Sequence, residues 1–293
     1  MPELPDLVHI VKVLGPALEG RVIQGARIRE PIVLRVLVPG DFSGLMEGRA
    51  FQGLERRGPF LRFILGPREA AGEGLDLIMH LMLAGRLRLA PREAKALAHT
   101  AFAIDLDSGE SLSYGDEKKM GKVYLCSPGQ AGAIPAYGTQ GVDVMGETFT
   151  YELFSSLIAR RRCQARVFVM DQSLLSAIGN AYADEILFEA GIHPKAGCSG
   201  LAEEKRRSLY GAIRSVLDWG IDEVEAAGRP LEDKVRGHMR VRGRAGEACP
   251  RCGATIRKAG VLGFDAYFCP VCQPDTAGKG LDWTKLPPDR PPG

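Results

Sequence analysis

Four cysteines near the carboxyl end carry the most specific chemistry in the chain. Cys249-x2-Cys252, sixteen intervening residues and Cys269-x2-Cys272 have the spacing of a four-cysteine zinc site, in which each short pair grips one edge of a tetrahedron about 2.3 Å from the metal. Pro250, Gly253 and Pro270 turn the backbone at both pairs. Four thiolates leave no open coordination position, so one structural Zn2+ is expected and no catalytic metal. Cys126, Cys163 and Cys198 read as buried or incidental thiols. Arg236, Arg240, Arg242 and Arg244 precede the cysteines, and Arg251, Arg257 and Lys258 lie between the pairs. Such a density of cations suits a phosphate backbone, but it equally suits an ordinary solvated face, and the residues alone leave both readings open.

A second candidate lies between Gln172 and Pro194, where a helix breaks at Gly179 and another starts at Asn180. Asn is a strong helix cap, and Gly191 followed by Pro194 ends the second helix. A helix start after a tight turn presents free N–H groups that suit phosphate; capping alone is the plainer reading. At the amino terminus, Pro2 and Glu3 read by themselves as a first-turn proline and an acid favoured by the helix dipole.

These groups must be positioned by at least two folded units, as 293 residues with 45% hydrophobic and 25% charged composition exclude a wholly disordered chain. Short β segments with glycine punctuation run through residues 21–23, 60–65, 75–79, 101–106 and 122–125, a spacing that favours a β-sandwich or barrel. Ahead of them, residues 7–14 read as one short helix closed by Gly15-Pro16. A Gly/Pro/Ala-rich stretch then gives way to helical periodicity, clearest over 201–219. The expected order is an amino-terminal β-sandwich domain over 1–130, a linker over 131–147, a helical domain over 148–234, a zinc finger over 235–273 and a disordered tail over 274–293. The net charge of +2 announces no nucleic-acid partner, so any such face must come from local segregation. No run of eighteen apolar residues and no signal-peptide pattern occurs, so a cytoplasmic protein is expected.

Five motifs in order change the weight of the open readings. Met1-Pro2-Glu3-Leu4-Pro5, Phe51-x-Gly53 with Arg56-Arg57-Gly58, His80-Leu81-x-x-x-Gly85-Arg86-Leu87, the 172–194 junction and the ending Phe268-Cys269-Pro270-Val271-Cys272-Gln273 together resemble the formamidopyrimidine-DNA glycosylase/endonuclease VIII family. The match spans roughly 1–273. It implies an α+β multidomain protein: an amino-terminal β-sandwich with a flanking helix, a helix-two-turn-helix domain and a four-cysteine zinc finger, with damaged or abasic duplex DNA between the lobes. It also implies a bifunctional DNA glycosylase/AP lyase of base-excision repair, monomeric, without membrane contact and associated with the nucleoid through DNA. By the same resemblance Pro2, freed by removal of Met1, is the amine nucleophile that forms a Schiff base, and Glu3 is the general acid/base. His80 and Asn180 would hold the DNA backbone, and Lys118, Lys119 and Met120 would fill the gap left by the flipped base.

The chain also departs from the family pattern. Pro59 stands where a phosphate-binding lysine is usual, and Phe264 and Ala266 stand where arginine and threonine are expected. Asp6 replaces a glutamate and Leu83 a wedge methionine. Arg57, Arg62, Arg240, Arg242 and Arg244 are the candidate replacements for the lost cations. If they fail, the alternative is a catalytically impaired damaged-DNA-binding protein of the same fold.

Overall fold

The computed structural model describes residues 1–68 and 72–275, so the expected disordered tail lies almost wholly outside the described residues. Helix α1 (Leu4–Leu18) buries Leu4, Leu7, Ile10, Leu14 and Leu18 on one stripe. It does not end at Gly15-Pro16 as expected. Pro16 removes a single donor from the last turns, and burial of Leu14 and Leu18, each of order 2 kcal/mol, outweighs that loss.

The following strands are β1 (Ile23–Ile28), β2 (Leu34–Val36), β3 (Phe51–Arg57), β4 (Phe60–Leu65), β5 (Leu75–His80), β6 (Arg86–Pro91), β7 (Thr100–Leu106), β8 (Glu110–Gly115) and β9 (Lys122–Cys126), with a short helix α2 (Phe42–Met46) between β2 and β3. They form two sheets, β1-β7-β8-β6 and β2-β9-β5-β4-β3. Phe63, Leu77, Met79 and Val123 of one sheet and Phe102, Ile104, Leu112 and Leu87 of the other belong to one core, the expected sandwich. Helix α1 packs on β3 and on the long helix over Glu203–Ala226, so the amino terminus sits where sandwich and helices meet.

The stretch read as a linker is packed at both ends. Ile134 and Tyr137 cover Phe60, Ile78 and Tyr124 on the outer face of the five-stranded sheet. Gly141 and Val142 donate to the carbonyls of Gln172 and Leu174 at 2.8 and 3.0 Å. Beyond it lie α3 (Tyr151–Ala159), α4 (Ala165–Val169), α5 (Asn180–Ala190), α6 (Glu203–Ala226) and the antiparallel hairpin β10 (Arg257–Val261) and β11 (Phe264–Phe268). Helix α5 is buried almost all round and ends at Gly191 in the left-handed conformation, as Gly191 led one to expect. No helix among the described residues is long and apolar enough to cross a membrane.

Candidate active site

Glu3 is buried and its carboxylate caps α5. Oε2 accepts from Gly179 N at 3.1 Å and Tyr182 N at 3.0 Å, and Oε1 accepts from Ala181 N at 3.0 Å. A side-chain oxygen usually supplied from within a helix's own cap therefore arrives from the other end of the chain. This corrects the reading of Asn180 as the cap. Gly179 is the cap residue in extended conformation, Asn180 is the first residue of α5, and the segment before them is a run of turns following α4. A Cβ on Gly179 would lie 2.6 Å from the Glu3 carboxylate carbon, so only glycine lets the two meet. Asn180 instead accepts from Arg166 Nη2 at 2.8 Å.

Pro2 lines a cavity with His9, Arg86 and Lys234. The chain's terminal amine and the Lys234 ammonium donate to the same acceptor, Leu83 O, at 3.4 and 3.0 Å. Burial and the neighbouring Lys234 push that amine down to about 5 from the usual 8. Asp6 accepts from Glu3 N at 2.7 Å and forms a two-pronged pair with Arg236 at 2.9 and 2.6 Å. The shorter acid is thus met by an arginine from the segment after α6.

His80 lies between Phe60 and Lys122 in the register of β4, β5 and β9. Its Nδ1 accepts from Met82 N at 3.0 Å, which leaves the neutral ring's proton on Nε2 as a donor. Burial and Lys122 lower His80 to about 4, so the ring is neutral near pH 7. Leu83 and Met120 are both exposed large apolar side chains. The loop of Lys118, Lys119 and Met120 is held by Asp116, which accepts from Lys118 N at 3.2 Å and Gly121 N at 2.6 Å. Lys119 pairs with Glu30 at 2.9 Å, and Lys118 is exposed.

The expected replacement cations do not behave as expected. Arg62 pairs with Asp76 and Glu55, and Arg57 donates to Tyr137 O. Arg240 pairs with Glu185 and Glu189, Arg242 with Asp184 and Arg244 with Glu247. In the finger-proximal segment, Arg240 and Arg242 are drawn inward because the carboxylates of α5 are buried and require compensation. Pro59 is itself buried in the β3–β4 turn, whereas Phe264 is exposed at the hairpin tip. Sequence reading missed Arg166, Asp184, Glu185 and Lys122. Glu185 Oε1 accepts from Arg240 N, Val241 N and Arg242 N at 3.0, 2.9 and 3.0 Å, so this buried acid folds the segment leading into the finger. Asp184 bridges Arg166 and Arg242, both at 2.8 Å, and both arginines reach Asp265 O. Two adjacent acids inside an apolar helix were the available signal.

The Sγ atoms of Cys249, Cys252, Cys269 and Cys272 all lie within 4.8 Å of one another. The pairs Cys249–Cys272 and Cys252–Cys269 are 3.9 and 3.4 Å apart, close to the edge of about 3.8 Å in a ZnS4 tetrahedron. The donor set therefore fits a structural zinc ion.

Family models match along most of the chain: the formamidopyrimidine-DNA glycosylase N-terminal domain over 1–123, its H2TH domain over 140–229, and the zinc finger found in FPG and IleRS over 246–274. The chain belongs to the formamidopyrimidine-DNA glycosylase family. The formamidopyrimidine-DNA glycosylase of Symbiobacterium thermophilum is 33% identical over 99% of this chain and 95% of its own length. That of Chloroflexus aurantiacus is 35% identical over 93% and 98%. Among solved structures, Lactococcus lactis Fpg bound to abasic-site DNA superposes with a TM-score of 0.82 at 28% identity, covering 93% of this chain and 99% of that one. The MutM (Fpg) protein from Thermus thermophilus gives 0.78 at 30% identity, covering 93% and 98%. Whole-length likeness to named glycosylases of this family lends no support to the alternative of an impaired binder.

Proposed function

We propose that the chain is a DNA glycosylase and AP lyase of base-excision repair that removes damaged bases from duplex DNA through the free amine of Pro2. The observation that carries this reading is the juxtaposition at the amino terminus. Glu3 is fastened to α5 while Pro2 faces a cavity edged by Lys234 and Arg86. Removal of Met1 makes the Pro2 nitrogen a secondary amine. Its lone pair attacks the sugar C1′ as the bond to the damaged base breaks and the base departs with a proton. The C1′–O4′ bond then opens, O4′ taking up the proton lost by the amine, to give a ring-opened iminium ion. Loss of a C2′ proton then expels the 3′ phosphate by β-elimination, and water releases the sugar from the enzyme.

The surrounding residues supply the remaining parts. Lys234 lines the same cavity as Pro2, and a cation beside an amine favours the neutral, nucleophilic form. A carboxylate offers about four acceptor sites, and three on Glu3 are taken by α5, which leaves one to receive or return a proton beside the amine. His80 Nε2–H, Asn180 and the exposed Lys122, which has no ion pair among the described residues, would hold the DNA backbone, and Leu83 and Met120 would enter the gap left by the extruded nucleotide. Lys118 and Lys119 would flank that gap. The zinc ion would be held by Cys249, Cys252, Cys269 and Cys272, and its part is to fold the hairpin. We place the domains at 1–130, 148–234 and 235–273, and the enzyme as a cytoplasmic, nucleoid-associated monomer.

Incubation with an abasic-site duplex and borohydride tests the proposal. The expected result is a covalent adduct on the peptide beginning at Pro2, in protein shown by intact mass to lack Met1. An adduct on an internal lysine overturns the nucleophile assignment, and no adduct from Met1-free protein overturns the activity.

A further inference from the structure

Cys163 and Cys198 lie on the two segments that flank the α4–α5 unit, one just before α4 and the other after α5. An isolated antiparallel bridge joins Gln164 to Gly197. Its hydrogen bonds run from Cys198 N to Cys163 O at 2.9 Å and from Ala165 N to Ala196 O at 2.7 Å. That register sets Cys163 directly opposite Cys198. Residues opposed in this way point to the same side and have Cα atoms about 5.5 Å apart, inside the range of about 4.4–6.8 Å over which a disulfide closes.

The two thiols are not equivalent. Cys163 is partly exposed, whereas Cys198 is fully buried. Burial, and then the adjoining Cys163 side chain, hold the Cys198 thiol above the usual thiol range. The remaining cysteines stand elsewhere: four form the zinc site, and Cys126 is buried in β9 against Asp76 O. An accessible sulfur with a second sulfur fixed behind it is the arrangement in which a first oxidation is resolved within the chain.

We propose that Cys163 and Cys198 form a reversible oxidation site, at which a peroxide converts the pair into a disulfide. The Cys163 sulfur attacks one oxygen of hydrogen peroxide and the O–O bond breaks. The departing oxygen leaves as water with the thiol's proton, and Cys163 becomes a sulfenic acid. The Cys198 sulfur then attacks the Cys163 sulfur, the S–O bond breaks, and hydroxide leaves as water with the Cys198 proton. Two thiols and one peroxide become one disulfide and two waters. Because the second step is intramolecular, proximity offsets the protonated state of Cys198. The new bond closes a loop of roughly 35 residues that holds α4, Gly179 and α5. It staples the helix unit that Glu3 caps and touches neither Glu3 nor Asn180. The site is independent of Pro2 and of the glycosylase reading.

Treatment of the zinc-loaded full chain with one equivalent of hydrogen peroxide, followed by alkylation and peptide mapping without reduction, tests this. The expected result is a cross-linked peptide pair joining Cys163 to Cys198, with a Tm raised by roughly 5–10 °C and both changes reversed by dithiothreitol. Cys163→Ser and Cys198→Ala should each abolish the cross-link and the rise in Tm while zinc content stays the same. Mapping of the unsubstituted chain carries the test if Cys198→Ala misfolds, and Cys163→Ser keeps the carbonyl that accepts from Cys198 N. Cys163 recovered as sulfenic or sulfinic acid with Cys198 still free overturns the proposal. Disulfides confined to the finger cysteines, with both Cys163 and Cys198 alkylated, overturn it equally.

Discussion

Tyr182 donates its backbone N–H to Glu3 Oε2 at 3.0 Å across 179 positions of the chain. With Gly179 and Ala181 it makes one carboxylate, next in sequence to Pro2, serve as the cap of a helix. The amino terminus is thereby tied to the helical domain as well as to the sheet on which α1 packs.

Glu3→Ala should therefore destabilise the fold as well as stop excision. Three buried N–H groups lose a charged acceptor, a loss of about 2–4 kcal/mol. Glu3→Gln retains one carbonyl and should cost about half as much. Urea unfolding measures both, and a wild-type midpoint for Glu3→Ala would remove the capping role. Excision by Glu3→Gln should fall more than abasic-site cleavage once corrected for folded fraction.

Lys234 should set the acid limb of adduct formation. A cation beside an amine favours its neutral form, and Lys234 shares the cavity with Pro2, so borohydride trapping by the Pro2 amine should persist below pH 7. Lys234→Gln removes that cation and should move the acid limb to higher pH by roughly one unit. Rates of single-turnover trapping between pH 5 and 8 give the answer, and superimposable profiles would exclude Lys234.

His80 links stability to pH. Its folded-state value is about 4 against the usual 6.5. Above pH 6.5 neither state binds the proton. As pH falls from 6.5 towards 4 only the unfolded chain takes it up, so stability declines through that window by on the order of 1–3 kcal/mol. His80→Asn, which retains an acceptor for Met82 N–H, should flatten the decline in urea midpoints measured at pH 4.5, 5.5 and 7.

Asn180→Ala should weaken binding of damaged and undamaged duplexes alike, by about tenfold at low salt, as expected for a backbone contact. Stability should fall by less than about 1 kcal/mol, because Arg166 keeps Asp184 when its bond to Asn180 is lost. Fluorescence anisotropy over a salt series, together with thermal melts, separates the two effects. A large loss of Tm with unchanged affinity would make Asn180 purely structural.

Zinc removal should unfold the hairpin and leave the sandwich. Cys269→Ser should abolish stoichiometric metal and render the 246–274 region sensitive to protease, with DNA affinity reduced. Full metal content in that variant would contradict the ligand set.

How much was legible follows from how far apart the partners are. Within β4, β5, β7 and β9 the apolar alternation is local, and residues 60–65, 75–79, 101–106 and 122–125 all fall inside strands. Strand β6, reading Arg-Leu-Arg-Leu, alternates just as clearly but its charged face conceals it among ordinary polar segments. Helix α1 passed its Gly15-Pro16 breaker because leucines further along the same stripe found a core, information held by β3 and α6 and absent from residues 4–18.

By itself the sequence determined the zinc ligands, the family and the order of its parts, because short cysteine spacings and ordered motifs are local properties. Only the tertiary structure decided what the charged residues do. Arg240, Arg242 and Arg244, open to DNA on paper, are engaged by Glu185, Asp184 and Glu247. Asn180 lost its capping role to a carboxylate from the opposite end of the chain. A charge is an invitation to any partner, and burial selects among them: acids enclosed in α5 must be compensated from within, and the cations nearest in space, not in sequence, do so.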